Sequence, residues 1–429
     1  MQLQESGPDS GVLGFPVDTE SRVAFAKSSA HGMLSLAARR GESGVWPSEL
    51  SFWREFADAY FAALDRIALR VLLRRRRTQC AGGTSVAGDE SGTTIGGNVK
   101  GVLIGAGFFA QFQAEAWKRI PDASLVAVAD LAPGRAKEFA ATHDIARAYE
   151  SVEAILDAER PDFVDIATRP DTHLPLTRMA AQRGIHVICQ KPMAPTASEC
   201  VAMCEACEQG MVRLLIHENW RWQPWYREAR RLIDAGTLGA LKHFSFYWRT
   251  GDGNGPQPYA AQPYFREMPR LLIHESLIHI LDTFRFLGGE LRVTDCEMRR
   301  VNPVVAGEDW AEIRCAFASG AKGFIHGDRQ TGPVPPPVAM GSMILEGDRA
   351  TLRVASDGLL FLTQPGAVDK QLFFTPTTCG YKGDSVFATQ QHLLECLRTG
   401  SPSESDGREY LKTVALVEAC YALNSPTHL

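Results

Sequence analysis

From Val99 onward the chain alternates short apolar runs with helical patterns at intervals of 20–30 residues, and this alternation constrains the fold more than any other feature. The runs are Gly101–Ile104, Leu125–Ala129, a weaker Ala146–Tyr149, Phe163–Ala167, Ile185–Cys189 and Val212–Ile216. Each is too short for a buried helix and too evenly apolar for a strand with one wet face. A strand covered on both faces, joined to the next by a crossover helix, satisfies both conditions. The pattern therefore predicts a doubly wound parallel sheet over about 98–218.

After Trp225 the rhythm changes. A helix over 225–235 leads to an alternating strand, 241–249, then a Gly/Pro-rich loop, 251–263, and a helix over 270–287. Strands then follow without helices between them, near 291–301, 309–317, 321–329, 342–347, 350–355 and 358–363. Two helices, 384–399 and 407–424, close the chain. Such strands, joined by Gly-Asp and Ser-Gly turns, predict an open, mostly antiparallel sheet with helices on one face, occupying 219–429. The class is thus α/β followed by α+β.

Residues 1–97 read as an extension. Its first 47 residues are rich in Gly, Ser and Pro, and 78–98 form a small-residue linker. Between them, over 48–76, Phe52, Phe56, Phe61, Leu64, Leu69 and Leu72 fall on one helical stripe that ends in Arg74, Arg75, Arg76 and Arg77. A basic amphipathic helix can touch a membrane surface or a protein partner. The simpler reading is a loosely packed extension, or sequence upstream of the true start.

The net charge of -5 gives no reason to expect a nucleic-acid partner. No apolar run is long enough to span a bilayer, and the start lacks a basic segment followed by an apolar one. Ten cysteines scattered among strands and helices suggest reduced thiols in a cytoplasmic protein rather than a disulfide framework.

The first strand runs into Gly105-Ala-Gly107-Phe108-Phe109-Ala110, which opens a helix. Gly105 permits a tight turn, Gly107 lets a pyrophosphate approach the backbone, and Ala110 lets helix and strand pack closely. The helix N-terminus offers unpaired N–H groups to phosphate. Asp130 lies 20 residues beyond Ala110, at the end of the second strand. There its carboxylate can accept hydrogen bonds from adenosine ribose and repel a 2′-phosphate, which favours NAD over NADP. Arg135 nearby weakens that preference somewhat.

With these elements in place, the chain resembles the glucose–fructose oxidoreductase / inositol dehydrogenase (Gfo/Idh/MocA) family from about Lys100 to Ala422. The residues carrying the resemblance are Thr168-Arg-Pro170-Asp-Thr-His173, Gln190-Lys191-Pro192, Asn219-Trp-Arg221-Trp222-Gln-Pro224, Glu275-Ser-Leu277-Ile-His279-Ile-Leu-Asp282 and Glu418-Ala-Cys-Tyr421. Gln190 stands where the family usually has Glu, Glu275 where it has Asp, and Leu277 where it has Gly. The Gln-Lys-Pro-Met and Gln-Pro-Tyr-Phe-Arg-Glu-Met-Pro-Arg stretches are similar to those of members described as D-apiose dehydrogenases. The resemblance implies a homodimer or homotetramer that oxidises a sugar or polyol with NAD. It implies that Phe108, Phe109, Arg135, Thr168, His173, Gln190, Lys191 and Arg221 join the phosphate turn in holding the cofactor. It places Asn219 and Trp222, with Lys191, Glu275 and His279, around the substrate.

Oxidising an alcohol carbon requires a proton acceptor for the hydroxyl and a stabiliser for the developing alkoxide. Lys191 follows a buried strand at its carboxyl end, where open α/β sheets place ligands, although a solvent-reaching lysine occurs in the same position. Glu275, His279 and Asp282 are spaced i, i+4, i+7, which on a regular helix brings all three near one face. His279 is the candidate base, since its unperturbed pKa is near neutral, and a core histidine bonded to a carbonyl is the alternative. Glu275 could orient His279 or Lys191, or bind a substrate hydroxyl. Asp282 reads as structural, and Arg221 reads equally well as an interdomain ion pair. The loop 249–256 and Gln262-Pro-Tyr264-Phe265-Arg266 read as lids over a sugar or as an oligomer contact. Cys200, Cys204 and Cys207 have iron–sulfur spacing, but on a helix at i, i+4, i+7 they read as small apolar packing residues. No metal site is expected. Two rival readings share this architecture: a regulatory or scaffold protein that binds NAD without using it, and an enzyme that holds NAD tightly for hydrolysis or epimerisation.

Overall fold

The computed structural model describes residues 97–332, 341–372, 374, 377 and 379–424. Contacts divide the chain into Met1–Glu90 and Ser91–Leu429, and every described residue belongs to the second unit. The amphipathic segment 48–76 therefore lies outside the described residues.

The first sheet is built from β1 (Val99–Ile104), β2 (Ala123–Ala129), β3 (Arg147–Tyr149), β4 (Phe163–Ile166), β5 (His186–Gln190) and β6 (Leu214–His217). Its order is β3-β2-β1-β4-β5-β6, parallel throughout. The order reverses at β1, so the crevice at the carboxyl ends of β1 and β4 is the switch point where such sheets bind ligands. Val102, Val164, Val187 and Ile216 are all fully buried, which explains why these strands read as unbroken apolar runs. The crossover helices are α1 (Ala110–Lys118), α2 (Arg135–His143), α3 (Val152–Glu159), α4 (His173–Ala181) and α5 (Ala197–Gln209). Thr196 and Glu199 form a reciprocal capping box that starts α5. α2 opens later than its Pro133 suggests, because Gly134, at φ +76°, turns the chain into the helix. Cys200, Cys204 and Cys207 are buried along α5.

α6 (Pro224–Asp234) leads to the second sheet: β7 (Leu241–Arg249), β8 (Leu291–Arg299), β9 (Trp310–Phe317), β10 (Lys322–Asp328), β11 (Ser342–Gly347), β12 (Thr351–Val354), β13 (Leu360–Thr363) and β14 (Lys370–Gln371). Its order is β14-β13-β12-β11-β7-β10-β9-β8, antiparallel except where β10 pairs with β7. Along β7 the period of two is plain: Phe244, Phe246 and Trp248 are buried, while His243 and Tyr247 face outward. Each fully buried aromatic contributes roughly 2–3 kcal/mol relative to exposure.

The expected helix over 270–287 is two elements. Leu272–Leu277 winds as a wide π turn, in which the Ile278 N–H reaches back five residues to the Ile273 carbonyl, and α7 (Ile278–Gly288) continues as a regular helix. α8 (Ser385–Thr399) and α9 (Gly407–Leu423) complete the unit. α9 also anchors the wide turn. Tyr421 Oη donates to Glu308 Oε1 at 2.5 Å, and Glu308 accepts the N–H groups of Leu271 (3.2 Å) and Ile273 (3.0 Å). Arg270 stacks on Tyr421 and pairs with Glu418 at 2.9 Å, which gives the closing Glu-Ala-Cys-Tyr a structural role. No helix among the described residues is long and apolar enough to cross a membrane.

Candidate active site

β1 delivers the glycine turn. Gly105 has φ +101°, and a Cβ there would lie 2.7 Å from the Ala167 carbonyl oxygen, so both conformation and space demand glycine. A Cβ on Gly107 would meet nothing within 4 Å, so the space before it is open. Among the described residues no acceptor takes the N–H groups of Gly107, Phe108 or Phe109. Ala110 is fully buried against Leu103 and Ala136. Asp130 accepts the N–H groups of Ala106 (2.9 Å) and Ala132 (2.8 Å), one on each carboxylate oxygen, which ties the turn to the end of β2. Arg135 is exposed.

Lys191 stands one residue beyond β5. Its Nζ donates to Glu275 Oε1 at 2.6 Å and to the Glu275 carbonyl oxygen at 2.8 Å. The pair is nearly enclosed, the side chains being 10 and 13% exposed. A regular helix directs the carbonyl of residue 275 along its axis; in the wide turn it meets Lys191. Ser276 Oγ donates to Glu275 Oε2 (2.7 Å), and Arg329 Nη1 donates to Ser276 Oγ (2.8 Å). Burial would raise the Glu275 carboxyl, but the charges of Lys191 and Arg329, and hydrogen bonds from Lys191 and Ser276, overrule it and bring it down to about 2.

His279, the second residue of α7, uses its Nδ1 on Glu218 Oε1 at 2.6 Å. Its ring stacks on Trp220, with centroids 4.9 Å apart. Burial, and then the neighbouring Lys191 ammonium, hold the imidazole well below its ordinary pKa, so it is neutral near pH 7. Asp282, one further turn on, takes both Arg221 nitrogens at 2.7 Å and the Thr413 hydroxyl at 3.0 Å. Glu275, His279 and Asp282 thus do not converge on one target. They fan out to Lys191, Glu218 and Arg221, because the wide turn shifts Glu275 out of phase with α7.

Several expected contacts move accordingly. Arg221 is only 6% exposed, and its guanidinium is committed to Asp282 and the Glu404 carbonyl, so it ties the segment after β6 to α7 and to the loop before α9. His173 is fully buried, with its ring nitrogens on the carbonyls of Met193 (3.1 Å) and Thr168 (3.2 Å); it braces the segment before the crevice instead of facing it. Asn219 donates to Ser385 Oγ at 2.9 Å, buried, and Trp222 lies between His392 and Arg227. Thr168 is half-buried and bonded to Thr172 Oγ1 (2.6 Å). Gln190 meets His217 Nδ1 at 3.1 Å, directly beside Lys191.

Three further residues join the site, and of these Glu218 and Tyr381 had not been singled out. Nothing marks Glu218 in the sequence except a charge directly after a buried strand. Tyr264, on the expected lid, and Tyr381, from the loop before α8, both have phenols raised by burial and then by the Glu275 charge. Tyr381 also packs on Phe109 (5.3 Å) and Phe112 (4.6 Å), at the end of the glycine turn.

A glycine turn with open N–H groups, set beside a lysine–carboxylate pair and a neutral histidine, is the arrangement of a dinucleotide oxidoreductase. Comparison with known proteins agrees. Residues 99–217 match the family model described as oxidoreductase family, NAD-binding Rossmann fold, and residues 226–353 match the GFO/IDH/MocA C-terminal domain. The chain belongs to the GFO/IDH/MocA oxidoreductase family. It is similar to a D-apiose dehydrogenase of Paraburkholderia graminis, 35% identical over 77% of this chain and 88% of that protein. It is also similar to a D-apiose dehydrogenase of Rhizobium rhizogenes, 33% identical over 75 and 94%. Among solved structures, an oxidoreductase from Agrobacterium radiobacter in complex with NAD+, L-tartaric acid and magnesium superposes with a TM-score of 0.70 at 33% identity, covering 76% of this chain and 96% of that one. This GFO/IDH/MocA member is therefore an NAD-binding oxidoreductase, and its two sheets are those of the family.

Proposed function

We propose that this chain oxidises a hydroxyl of a small sugar or polyol with NAD, D-apiose first among the candidates, and that Lys191, Glu275 and His279 carry the reaction. The observation that carries the reading is the joint placement of the Lys191–Glu275 pair and the neutral His279 at the carboxyl ends of β5 and β6. The cofactor fits the first sheet on the evidence of Gly105, the open space before Gly107 and the unclaimed N–H groups of Gly107, Phe108 and Phe109. Asp130 would sit at the adenosine ribose. Bound there, NAD supplies the hydride acceptor.

The chain's own groups supply the rest. A lysine ammonium has three donors, and two are used on Glu275, so one N–H of Lys191 remains to hold the substrate oxygen as negative charge develops. Glu275, kept ionised, fixes where that ammonium points. His279 has its Nδ1 on Glu218, which leaves Nε2 to take the hydroxyl proton. Tyr264 and Tyr381 offer aromatic faces and phenols to the sugar's remaining hydroxyls. The two D-apiose dehydrogenase relatives support the substrate class.

Two further parts of the reading concern the cell and the assembly. The nine described cysteines are unpaired thiols, eight of them buried, which suits a reducing cytoplasm. The outer face of the second sheet carries Tyr247, Phe324 and Trp310, with Arg314 over Phe324 and Arg299 over Trp310. A second copy covering that face would give the homodimer or homotetramer. Purified protein should form NADH with at least one sugar from a panel of pentoses, including D-apiose, hexoses and inositols. NAD released only on denaturation, with no NADH formed from any sugar, would point instead to the non-redox or tightly-held-NAD readings.

A further inference from the structure

Glu218 follows β6 directly and is fully buried, as is Tyr410. Three donors converge on its carboxylate: His279 Nδ1 at 2.6 Å and the Trp220 N–H at 3.0 Å on Oε1, and Tyr410 Oη at 2.9 Å on Oε2. A buried carboxylate with three donors is held in one orientation, and its partners come from three separate elements: the segment after β6, α7 and α9. We propose that Glu218 is a positioning residue that fixes His279 in the tautomer with hydrogen on Nδ1, so that the Nε2 lone pair faces the substrate hydroxyl.

The Trp220 N–H can only donate to Glu218; burial pushes the Glu218 carboxyl up, and where it is ionised Tyr410 Oη donates as well and the remaining short contact requires hydrogen on His279 Nδ1. Trp220 stacks on the imidazole and is itself stacked on Trp248 at 4.8 Å, so the ring cannot turn over freely. The charged and titratable groups around His279 are Glu218 and His217 after and in β6, Lys191 after β5, Glu275 and Asp282 on its own segment, and Tyr410 on α9. Among them Glu218 is the carboxylate in direct contact with the ring, so it stabilises the imidazolium that forms. The inference rests on the proposed role of His279. In that step the substrate O–H bond breaks and an N–H bond forms at Nε2. The oxygen's electron pair completes a C=O bond as the carbon's hydride leaves to oxidised nicotinamide.

Two measurements test it on the full chain. The first is independent of substrate: 15N spectra of the histidines, with His279 assigned by His279→Gln. Protonated Nδ1 and unprotonated Nε2 at pH 7 in the wild type, lost or mixed in Glu218→Gln, are expected; hydrogen on Nε2 in the wild type, or an unchanged pattern in the variant, would overturn the inference. The second uses whichever sugar the panel selects. Glu218→Gln should lower kcat by ~100-fold, as the loss of an orienting partner does. Glu218→Asp should recover part of it, and NAD affinity should stay within about twofold. With the carboxylate gone the imidazolium is less favoured, so the acid limb of kcat/KM should move to lower pH. An unmoved limb with unchanged kcat refutes the positioning role while leaving the dehydrogenase reading intact. If no sugar is oxidised that reading fails, and the 15N result still decides the tautomer.

Discussion

Replacing Glu275 with glutamine removes the negative charge from the nearly enclosed Lys191–Glu275 pair at almost constant volume. The wild-type carboxyl lies at about 2 rather than its ordinary 4.5, under the influence of Lys191, Arg329 and Ser276. Each pH unit corresponds to about 1.4 kcal/mol, so ionised Glu275 contributes about 3 kcal/mol to stability at pH 7. Because the folded pKa is depressed, this contribution is present in full above the unfolded value and lost as pH falls through the folded one. At pH 3 about 1 kcal/mol should remain. Urea unfolding of wild type and Glu275→Gln, followed by tryptophan fluorescence and far-UV circular dichroism, should therefore differ by about 3 kcal/mol at pH 7, by about 1 kcal/mol at pH 3, and converge only below about pH 2. Uncoupling Lys191 should also lower kcat more than it raises KM. A difference under about 0.5 kcal/mol at pH 7, or one that does not change with pH, would show that the pair does not hold the lysine as the structure indicates.

Lys191→Ala should retain NAD binding, read by titration calorimetry, and lose most turnover, of the order of 10³-fold; wild-type turnover would remove Lys191 from the chemistry. Asp130→Ala should narrow the preference for NAD over NADP by about tenfold, roughly 1.4 kcal/mol, measured as a ratio of Kd values. An unchanged ratio would take Asp130 out of cofactor selection. Arg221→Ala leaves Asp282 fully buried without its ion partner, so stability should fall by about 3–5 kcal/mol in thermal and urea unfolding, and a loss confined to cofactor affinity would contradict the structural role.

Much of the architecture was legible because it depends on period alone. Buried parallel strands leave unbroken apolar runs, and one-sided antiparallel strands leave an alternation such as that of Phe244, Phe246 and Trp248. Glycine at 105 was legible because only glycine tolerates both the positive φ and the Ala167 carbonyl. The wide turn at Leu272–Leu277 was not, since an apolar segment that winds five residues per hydrogen bond has nearly the same composition as one that winds four. That local phase change sent Glu275, His279 and Asp282 to different partners. Glu218 was missed because a charge after a strand normally reaches solvent, and its burial depends on three donors scattered from residue 220 to 410. His173 and Arg221 have residue types that suit a cofactor site, and their tertiary partners, the Met193 carbonyl and Asp282, are not legible from local sequence.

The central claim is that the Lys191 ammonium and the His279 imidazole meet one substrate oxygen beside the nicotinamide. A crystal structure with NAD and a sugar bound measures this directly. Nζ of Lys191 and Nε2 of His279 should both lie within about 3.2 Å of the same hydroxyl oxygen. A sugar oriented with a different atom toward the nicotinamide ring, or the two nitrogens on opposite sides of the dinucleotide, would contradict it.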